Sequence, residues 1–405
     1  MCQCGKMTIK PLLIFLLILS SSLSGCLDSN SEKEEKIPFW PEKVDLGCLS
    51  DSEELDCNLY LDGFSTPIRT LQHPLVDEIW IADLNGTISS WNGDERREIG
   101  NVSHLISNCH NEQGLLSFAF AGNWYRGVNK LLLSYTEAEN CEGQAQSNLT
   151  LAEVSISDGV MQLDTVKILR EIFQPHRNHN GGHILAIGND TFLWGIGDGG
   201  SRDDPDKNGQ NESSPLGSIQ YFQYLESGIE PILNHSENRD ENFMLHSGLR
   251  NPWRFDLDSQ NRLWIADVGQ RCWEEVNLVE FGVRANFGWS EREGKHDFQS
   301  ESECDNSTSE TPEGFTDPVI EYPHGEECSI SGGEWMNWGP KNISEGYLFG
   351  DFCSGQIWLS KQIEDSWHAE PILSVELLIV GFGRGLNDEL LILTWTGAIY
   401  SITDK

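Results

Sequence analysis

The most constraining feature of this sequence is a motif that returns along it: an apolar run, a polar residue, a glycine turn and a second apolar run. It is read at Glu78-Ile-Trp-Ile-Ala-Asp-Leu-Asn-Gly-Thr-Ile, Arg262-Leu-Trp-Ile-Ala-Asp-Val-Gly-Gln, Gly346-Tyr-Leu-Phe-Gly-Asp-Phe-Cys-Ser-Gly-Gln-Ile-Trp and Glu389-Leu-Leu-Ile-Leu-Thr-Trp-Thr-Gly-Ala-Ile-Tyr. Asn129-Lys-Leu-Leu-Leu-Ser-Tyr-Thr and Thr191-Phe-Leu-Trp-Gly-Ile-Gly-Asp bring the number to six. Short apolar runs bounded by Gly, Asn and Asp read as strands, and no stretch after the N-terminus sustains a helical period, so the pattern is all-β. Six units, about 40 to 85 residues apart, match the scale of propeller blades with loop insertions. The fold expected is all-β: a six-bladed β-propeller with disulfide-stapled loops. The alternative is a double-sheet sandwich, for which roughly 350 residues is a large size.

Propeller blades aim the ends of their inner strands at a central axis, so function is sought at that mouth. The richest candidate lies in residues 176–211, where titratable side chains sit among glycines: His176-Arg-Asn-His-Asn-Gly-Gly-His, then Gly195-Ile-Gly-Asp-Gly-Gly-Ser-Arg-Asp-Asp-Pro-Asp-Lys-Asn-Gly-Gln-Asn. Between these halves, Ile184-Leu-Ala-Ile-Gly and Thr191-Phe-Leu-Trp-Gly-Ile read as two strands joined by a turn at Asn189-Asp190. Such a hairpin brings His179 and Asp198 out at the same end of the sheet, a base and the carboxylate that orients it. His176, His179 and His183 also make an H-x2-H-x3-H pattern, but Gly181-Gly182 forbids the helix that this ligand spacing needs. The Gly-Ile-Gly-Asp-Gly-Gly run lacks the βαβ surroundings of a dinucleotide loop. Asp203, Asp204, Asp206 and Asn208 offer hard oxygen ligands for calcium without EF-hand spacing, with a solvated acidic loop as the alternative. In Leu249-Arg-Asn-Pro-Trp-Arg, a guanidinium in an apolar setting suits an anionic or carbonyl-rich ligand, or a carboxylate between blades.

The chain carries 27 basic and 64 acidic residues, a formal charge of −37. That balance argues against nucleic acid and anionic lipid, both of which need basic surfaces. At the N-terminus, Lys6 and Lys10, the apolar run 12–19 and Leu23-Ser-Gly-Cys26 have the order of a secretion signal, too short to span a bilayer as a mature helix. Leu-Ser-Gly-Cys resembles the lipobox of prokaryotic lipoproteins, which implies residues 1–25 as signal peptide and Cys26 as the lipidated first residue. Residues 26–57 are then an acidic tether and 58–405 the propeller. The expected location is the outer face of a prokaryotic membrane, periplasmic or cell surface, with membrane contact through the lipid alone. Eight cysteines remain, at 48, 57, 109, 141, 272, 304, 328 and 353, an even number that fits a disulfide framework whose connectivity the sequence leaves open. Without a Cys-x-x-Cys, a structural zinc site is not expected. Asn-x-Ser/Thr sequons at Asn85, Asn101, Asn148, Asn189, Asn211, Asn234, Asn306 and Asn342 also fit a surface-exposed chain.

Several stretches together resemble the PQQ-dependent sugar dehydrogenases, the soluble glucose and aldose sugar dehydrogenases, whose fold also occurs in hedgehog-interacting-protein-like ectodomains. They are Glu112-Gln-Gly-Leu-Leu-Ser-Phe-Ala-Phe, His179-Asn-Gly-Gly-His-Ile-Leu, Gly197-Asp-Gly-Gly, Asp204-Pro, Asn208-Gly-Gln-Asn, Gly248-Leu-Arg-Asn-Pro-Trp-Arg-Phe, Leu263-Trp-Ile-Ala-Asp-Val-Gly-Gln, Trp273-Glu-Glu-Val-Asn, Asn286-Phe-Gly-Trp, Cys328-Ser-Ile-Ser-Gly-Gly and Gly350-Asp-Phe-Cys-Ser-Gly-Gln-Ile-Trp. They keep the family's order from about residue 58 onward. The resemblance implies that His179 takes the proton of a sugar's anomeric hydroxyl while hydride passes to the quinone, and that Asp198 orients it. It further implies that Arg250 and Asn251 contact the quinone's carbonyl edge, that Glu112 and Gln210 fall near the sugar, and that the backbone carbonyls of Gly269 and Gln270 bind the calcium that seats PQQ. Deprotonating the hydroxyl eases departure of hydride, and an arginine stabilises charge developing on the quinone.

The sequence also departs from the family pattern. Asn337 and Trp338 stand where a basic residue is common, with only Lys341 later, and His183 replaces the usual Arg or Gln. Arg384 is the cation offered to PQQ by the last blade, while other arginines of the glucose enzyme are absent, and PQQ carries three carboxylates. The resemblance also implies the disulfides Cys328–Cys353, Cys272–Cys304, Cys109–Cys141 and Cys48–Cys57. Two functions are therefore expected: a PQQ- and calcium-dependent dehydrogenase of aldoses passing electrons to an unspecified acceptor, or a non-catalytic surface propeller that binds a glycan or protein.

Overall fold

The computed structural model describes residues 43, 47–48, 52–188, 190–298, 304, 307–343 and 345–405, all within the compact unit Lys43–Lys405. The signal sequence, Cys26, most of the tether, Asn189 and Asn306 lie outside the described residues.

Six sheets of at least four strands follow one another along the chain, antiparallel except where Met244–Ser247 pairs with Ala285–Asn286. The strands that begin them are Pro67–Gln72 (blade I), Leu115–Ala121 (II), Gly181–Gly188 (III), Pro252–Leu257 (IV), Glu334–Met336 (V) and Ile379–Arg384 (VI). These run beside one another around the axis: Ser117 Oγ in blade II accepts from Ile184 N at 3.1 Å, and His183 Nε2 lies 3.2 Å from Phe255 O. Arg254 crosses the ring from blade IV to donate to Ile68 O in blade I at 2.8 Å. A six-bladed β-propeller is what the structure contains.

Each of the six repeated sequence units supplies the second strand of one blade: Ile79–Asp83, Lys130–Thr136, Thr191–Ile196, Arg262–Asp267, Gly346–Gly350 and Leu390–Thr394. A second strand is covered by the neighbouring blades on both faces, which is why these runs are continuously apolar rather than alternating. The core accordingly fills the gaps between blades. Trp80 and Ile88 of blade I meet Phe118 and Leu131 of blade II, and Trp264 and Val276 of blade IV meet Tyr347 and Phe349 of blade V. Each such side chain contributes about 1.5–3 kcal/mol on full burial.

Blade VI takes its outer strand from the N-terminal side: Leu55–Leu61 pairs with Ile399–Asp404 from Leu55↔Asp404 to Leu61↔Ile399. The boundary expected at residue 58 thus falls inside a strand. Blade III is the most elaborate, adding Gly228–Pro231, Met244–Ser247 and Ala285–Asn286 to its three main strands. The loops are stapled by Cys48–Cys57, Cys109–Cys141, Cys272–Cys304 and Cys328–Cys353, the pairing implied by the resemblance. No helix among the described residues is long and apolar enough to cross a membrane.

Candidate functional site

The starts of the inner strands share one end of the ring, and His179, Arg250 and Glu112 each lie a few residues before such a start. Strands Gly181–Gly188 and Thr191–Ile196 form the expected hairpin, with Gly181 opposite Ile196. His179 and Asp198 flank it, and His179 Nδ1 lies 2.8 Å from Asp198 Oδ1. Two backbone features permit this. His179 is held in the left-handed region at φ 54°, a conformation that costs a non-glycine residue about 1–3 kcal/mol. At Gly197 a Cβ would stand 1.8 Å from His179 O, so only glycine lets the two chains approach this closely.

Arg250 Nη2 donates to His179 Nε2 at 2.8 Å, and Nη1 to Val268 O at 3.0 Å. A guanidinium only donates, so Nε2 is the accepting nitrogen and Nδ1 carries the proton given to Asp198. Asp198 is buried; its Oδ1 also accepts from Gly200 N at 2.8 Å, and its Oδ2 from Trp289 Nε1 at 2.8 Å. Trp289 lies 5.6 Å from Arg250 Cζ, ring centre to carbon. Glu112 Oε2 accepts from His179 N at 2.7 Å, fixing the backbone of the histidine. Asn251 Oδ1 accepts from Gly181 N at 3.1 Å. Gln210 is tied to Asn286 and to Trp289 O, at 2.9–3.0 Å and 2.6 Å, beside the Asp198 partner Trp289.

Loop 269–272 is organised by carboxylates. Glu293 Oε1 accepts from Gln270 N, Arg271 N and Cys272 N at 2.6, 2.6 and 3.1 Å, and Glu274 Oε2 accepts from Gly269 N at 3.2 Å. In a trans peptide the carbonyl points opposite to the next N–H. The carbonyls of Gly269 and Gln270 are therefore both turned away from Glu293, onto one side. Glu274 also meets His324, whose Nε2 lies 2.6 Å from Oε1. Burial opposes charge on His324, but the Glu274 hydrogen bond and charge outweigh it and raise its pKa.

Other expected site residues are not brought together. Arg384 ends its inner strand, at the opposite end of the ring from His179; there Gln72, the last residue of the blade I strand, donates to Gly385 O at 2.8 Å. Arg384 Nε is engaged by Asp388 at 2.7 Å, so this cation is not at the mouth. Asp203, Asp204 and Asp206 form no common ligand set among the described residues. The carboxylate of Asp204 is buried and caps its own loop, accepting from Asn208 N, Gly209 N and Ser290 Oγ at 2.8–2.9 Å. Asp203 pairs with the Gln270 side chain, and Asp206 is exposed. Of the three histidines, His176 is half-buried and His183 faces blade IV, so no triad of ligands forms.

Sequence reasoning missed Asp267, whose Oδ2 and Oδ1 accept from Arg250 N and Asn251 N at 2.8 and 2.7 Å. Burial pushes its pKa up to about 7. It is the polar residue of the repeated unit, and the same position was available as a signal in Asp83, which accepts from Ser65 N and Thr66 N at 2.5 and 3.0 Å. Also missed was Lys43, assigned to the tether: its Nζ donates to Ser65 O and Thr66 Oγ1 at 2.7 Å, at the mouth end of blade I, and sits 4.3 Å over the Trp395 ring. Burial lowers its pKa.

Fold and site together define a six-bladed propeller with a buried histidine–aspartate pair and an arginine at its mouth. The glucose/sorbosone dehydrogenase family profile matches residues 68–339, and the chain belongs to that family. The Arabidopsis thaliana HIPL1 protein is 32% identical over 219 residues, 47% of this chain and 31% of that protein. The HIPL2 protein of the same plant is 29% identical over 252 residues, 54% and 35% of the two chains. The chain thus spans about a third of the length of these curated relatives. Among solved structures, the soluble aldose sugar dehydrogenase of Escherichia coli in its apo-form has TM-score 0.69 at 17% identity, covering 87% of this chain and 100% of that one. The PQQ-bound aldose sugar dehydrogenase of Streptomyces coelicolor has TM-score 0.65 at 19% identity, covering 87% and 98%. At these identities the structural likeness establishes the fold.

Proposed function

We propose that this protein is an exported, lipid-anchored PQQ- and calcium-dependent dehydrogenase that oxidises the anomeric hydroxyl of an aldose. The observation that carries the reading is the line Asp198–His179–Arg250, with 2.8 Å contacts at both ring nitrogens. Two features fit the cofactor and its cation. Arg250 Nε is a buried donor with no partner, suited to a carbonyl-rich edge, and the carbonyls of Gly269 and Gln270 face one side as ligands for a hard cation. Arg250 and Asn251 would hold the quinone and those carbonyls the calcium; the bound quinone supplies the hydride acceptor.

The chain's own residues do the rest. Asp198 accepts Nδ1–H and fixes the tautomer, which leaves the Nε2 lone pair to take a proton. A sugar hydroxyl that displaces the Arg250 guanidinium from Nε2 gives up its proton there, and Asp198 stabilises the resulting imidazolium. Arg250, released from the ring, is free to stabilise negative charge. Glu112 keeps His179 in its left-handed conformation, and Gln210 lies beside Trp289 at the edge of the site. Disulfides and the signal-like N-terminus fit an oxidising, extracytoplasmic compartment.

The test is reconstitution of the purified protein with PQQ and calcium, followed by dye reduction with aldoses. Turnover that His179→Ala abolishes supports the proposal; no quinone spectrum and no turnover sinks it. One observation favours the second reading, a non-catalytic propeller that binds a glycan or protein. Arg384 lies at the far end and Arg177 is committed to Glu139 through Nε and Nη2 at 3.2 and 3.1 Å, which leaves few cations for three carboxylates. Failure of PQQ to bind, with retention of a glycan on an array, would select it.

A further inference from the structure

The indole of Trp289 touches both partners of the His179 ring. Its Nε1 donates to Asp198 Oδ2 at 2.8 Å, and its ring centre lies 5.6 Å from Arg250 Cζ, within the range of a cation over an aromatic face. Trp289 is 4% exposed and Asp198 1%. The backbone of Trp289 is tied to the same two segments. Its N–H donates to Gly248 O at 3.0 Å, two residues before Arg250, and its carbonyl accepts from Gln210 Nε2 at 2.6 Å, in the loop that follows Asp198. Gly209 admits this approach, since a Cβ there would stand 2.4 Å from Trp289 O.

These contacts constrain Asp198 more than the imidazole alone does. Its Oδ1 accepts from His179 Nδ1 and Gly200 N, both at 2.8 Å. Among the described residues Trp289 Nε1 is the one donor to Oδ2, so without it the carboxylate is free to turn about its last torsion, which is a broad one in aspartate. An indole N–H donates and never accepts, so it does not exchange roles with the acid. Drawn toward a carboxylate, that N–H also enriches the ring in electron density, which favours the guanidinium beside its face. One side chain thereby holds both ends of the line Asp198–His179–Arg250.

We propose that Trp289 is a positioning residue of this site: its N–H fixes the plane of the Asp198 carboxylate, and with it the hydrogen bond to His179 Nδ1, while its face steadies the Arg250 guanidinium at Nε2. The proposal rests on His179 being the base of the proposed dehydrogenase, but the contacts themselves are measurable without quinone or sugar.

Hydrogen exchange followed by NMR on the full chain, with no quinone, calcium or sugar added, tests it. Trp289→Phe keeps an aromatic face for Arg250 and removes the donor. The His179 Nδ1 proton should then exchange with water about tenfold faster or more, while the N–H of Leu348, buried in blade V, keeps its rate. A purely structural role would instead hasten both alike. Where that variant fails to fold, Asp198→Asn gives a second reading: the Trp289 Nε1 proton loses an anionic acceptor, and its resonance should move upfield. After reconstitution with PQQ and calcium, Trp289→Phe should lower kcat about tenfold and leave the aldose KM within about twofold. A wild type that binds no PQQ would sink the dehydrogenase reading and leave the exchange measurement to decide on Trp289. Unchanged exchange at His179, equal acceleration at Leu348, an unmoved indole resonance in Asp198→Asn, or a wild-type kcat in Trp289→Phe would each overturn the proposal.

Discussion

Asp267 ends the second strand of blade IV and holds two backbone N–H groups, whereas Asp198 lies two residues beyond the second strand of blade III and holds an imidazole. In blades I and IV the aspartate accepts from the two residues just before the inner strand, 65 and 66 or 250 and 251. Asp351 of blade V accepts likewise from Cys328 N and Ser329 N, at 3.1 and 2.9 Å. Blade III departs from this. At the matching position, opposite Gly181, it carries Ile196; the N–H of His179 goes to Glu112 of blade II, and Asp198, two residues further on, orients the ring.

This makes Asp198→Asn informative. The amide keeps the shape, but it can present N–H to Nδ1 and favour the other tautomer, with the proton on Nε2 where the lone pair is needed. Aldose-dependent dye reduction by the reconstituted protein should fall about 10²–10⁴-fold in kcat. The PQQ affinity read from absorbance should be nearly unchanged. A variant with wild-type kcat would remove Asp198 from the mechanism.

Asp267→Ala tests the backbone clamp. Two buried N–H groups lose their acceptor, at about 1–3 kcal/mol each. Arg250 and Asn251 also lose their anchor. Chemical denaturation should show a loss on the order of 3 kcal/mol, and PQQ titration a weaker complex. The equivalent Asp83→Ala should lower stability similarly while leaving PQQ binding intact, because Ser65 and Thr66 bear no cofactor contact in the proposed site.

Glu293 should govern calcium without touching it. Its carboxylate collects three N–H groups of loop 269–272 and so sets the direction of the two carbonyls proposed as ligands. Glu293→Ala is expected to weaken calcium affinity about 10–100-fold, the usual effect of removing a residue that orients ligands. Titrating calcium back into chelator-treated protein and following Tm measures it. Chelation alone should lower the wild-type Tm and leave the variant almost unmoved.

Acid stability should depend on His246. It is 1% exposed beside Phe287, both ring nitrogens lack partners, and burial, aided by the Arg284 charge, lowers its pKa to about 3. A depressed folded pKa means that the unfolded chain takes up the proton first, near 6.5. Stability from the neutral ring is therefore complete above that pH and is lost as pH falls from 6.5 toward 3. At pH 5 the loss is about 2 kcal/mol. His246→Leu should flatten the fall in Tm between pH 8 and pH 5; an equally steep fall in the variant would assign the acid sensitivity elsewhere.

How much of this was legible follows from which surfaces each segment meets. Second strands lie between two blades, so Leu263-Trp-Ile-Ala and Leu390-Leu-Ile-Leu are continuously apolar and announce themselves. Outer strands such as Ser366–Ser374 face solvent on one side and carry little pattern. Leu55–Leu61 was partly assigned to the tether for the same reason: its burial is slight beyond Leu55, and its partner lies at the other end of the sequence. The His179–Asp198 pair was legible because one tight hairpin joins the two residues. Arg250 on Nε2, Trp289 on Asp198 and Glu112 on the His179 backbone come from other blades, and no local pattern records such contacts. Arg384 was misplaced because a residue's position along a strand decides which end of the ring it reaches, and the motif Gly381-Phe-Gly-Arg-Gly does not show where its strand begins.

The ladder between Leu55–Leu61 and Ile399–Asp404 has a bearing on biosynthesis. The last gap in the ring is closed by two strands that are nearly the whole described chain apart, the most distant pairing the topology contains. While the polypeptide is being made, five blades can zip up from neighbouring segments, but Leu55–Leu61 lacks its ladder with Ile399–Asp404 until that segment has emerged. The nascent chain is thus kept from sealing itself prematurely, a property that suits translocation through a narrow pore before folding.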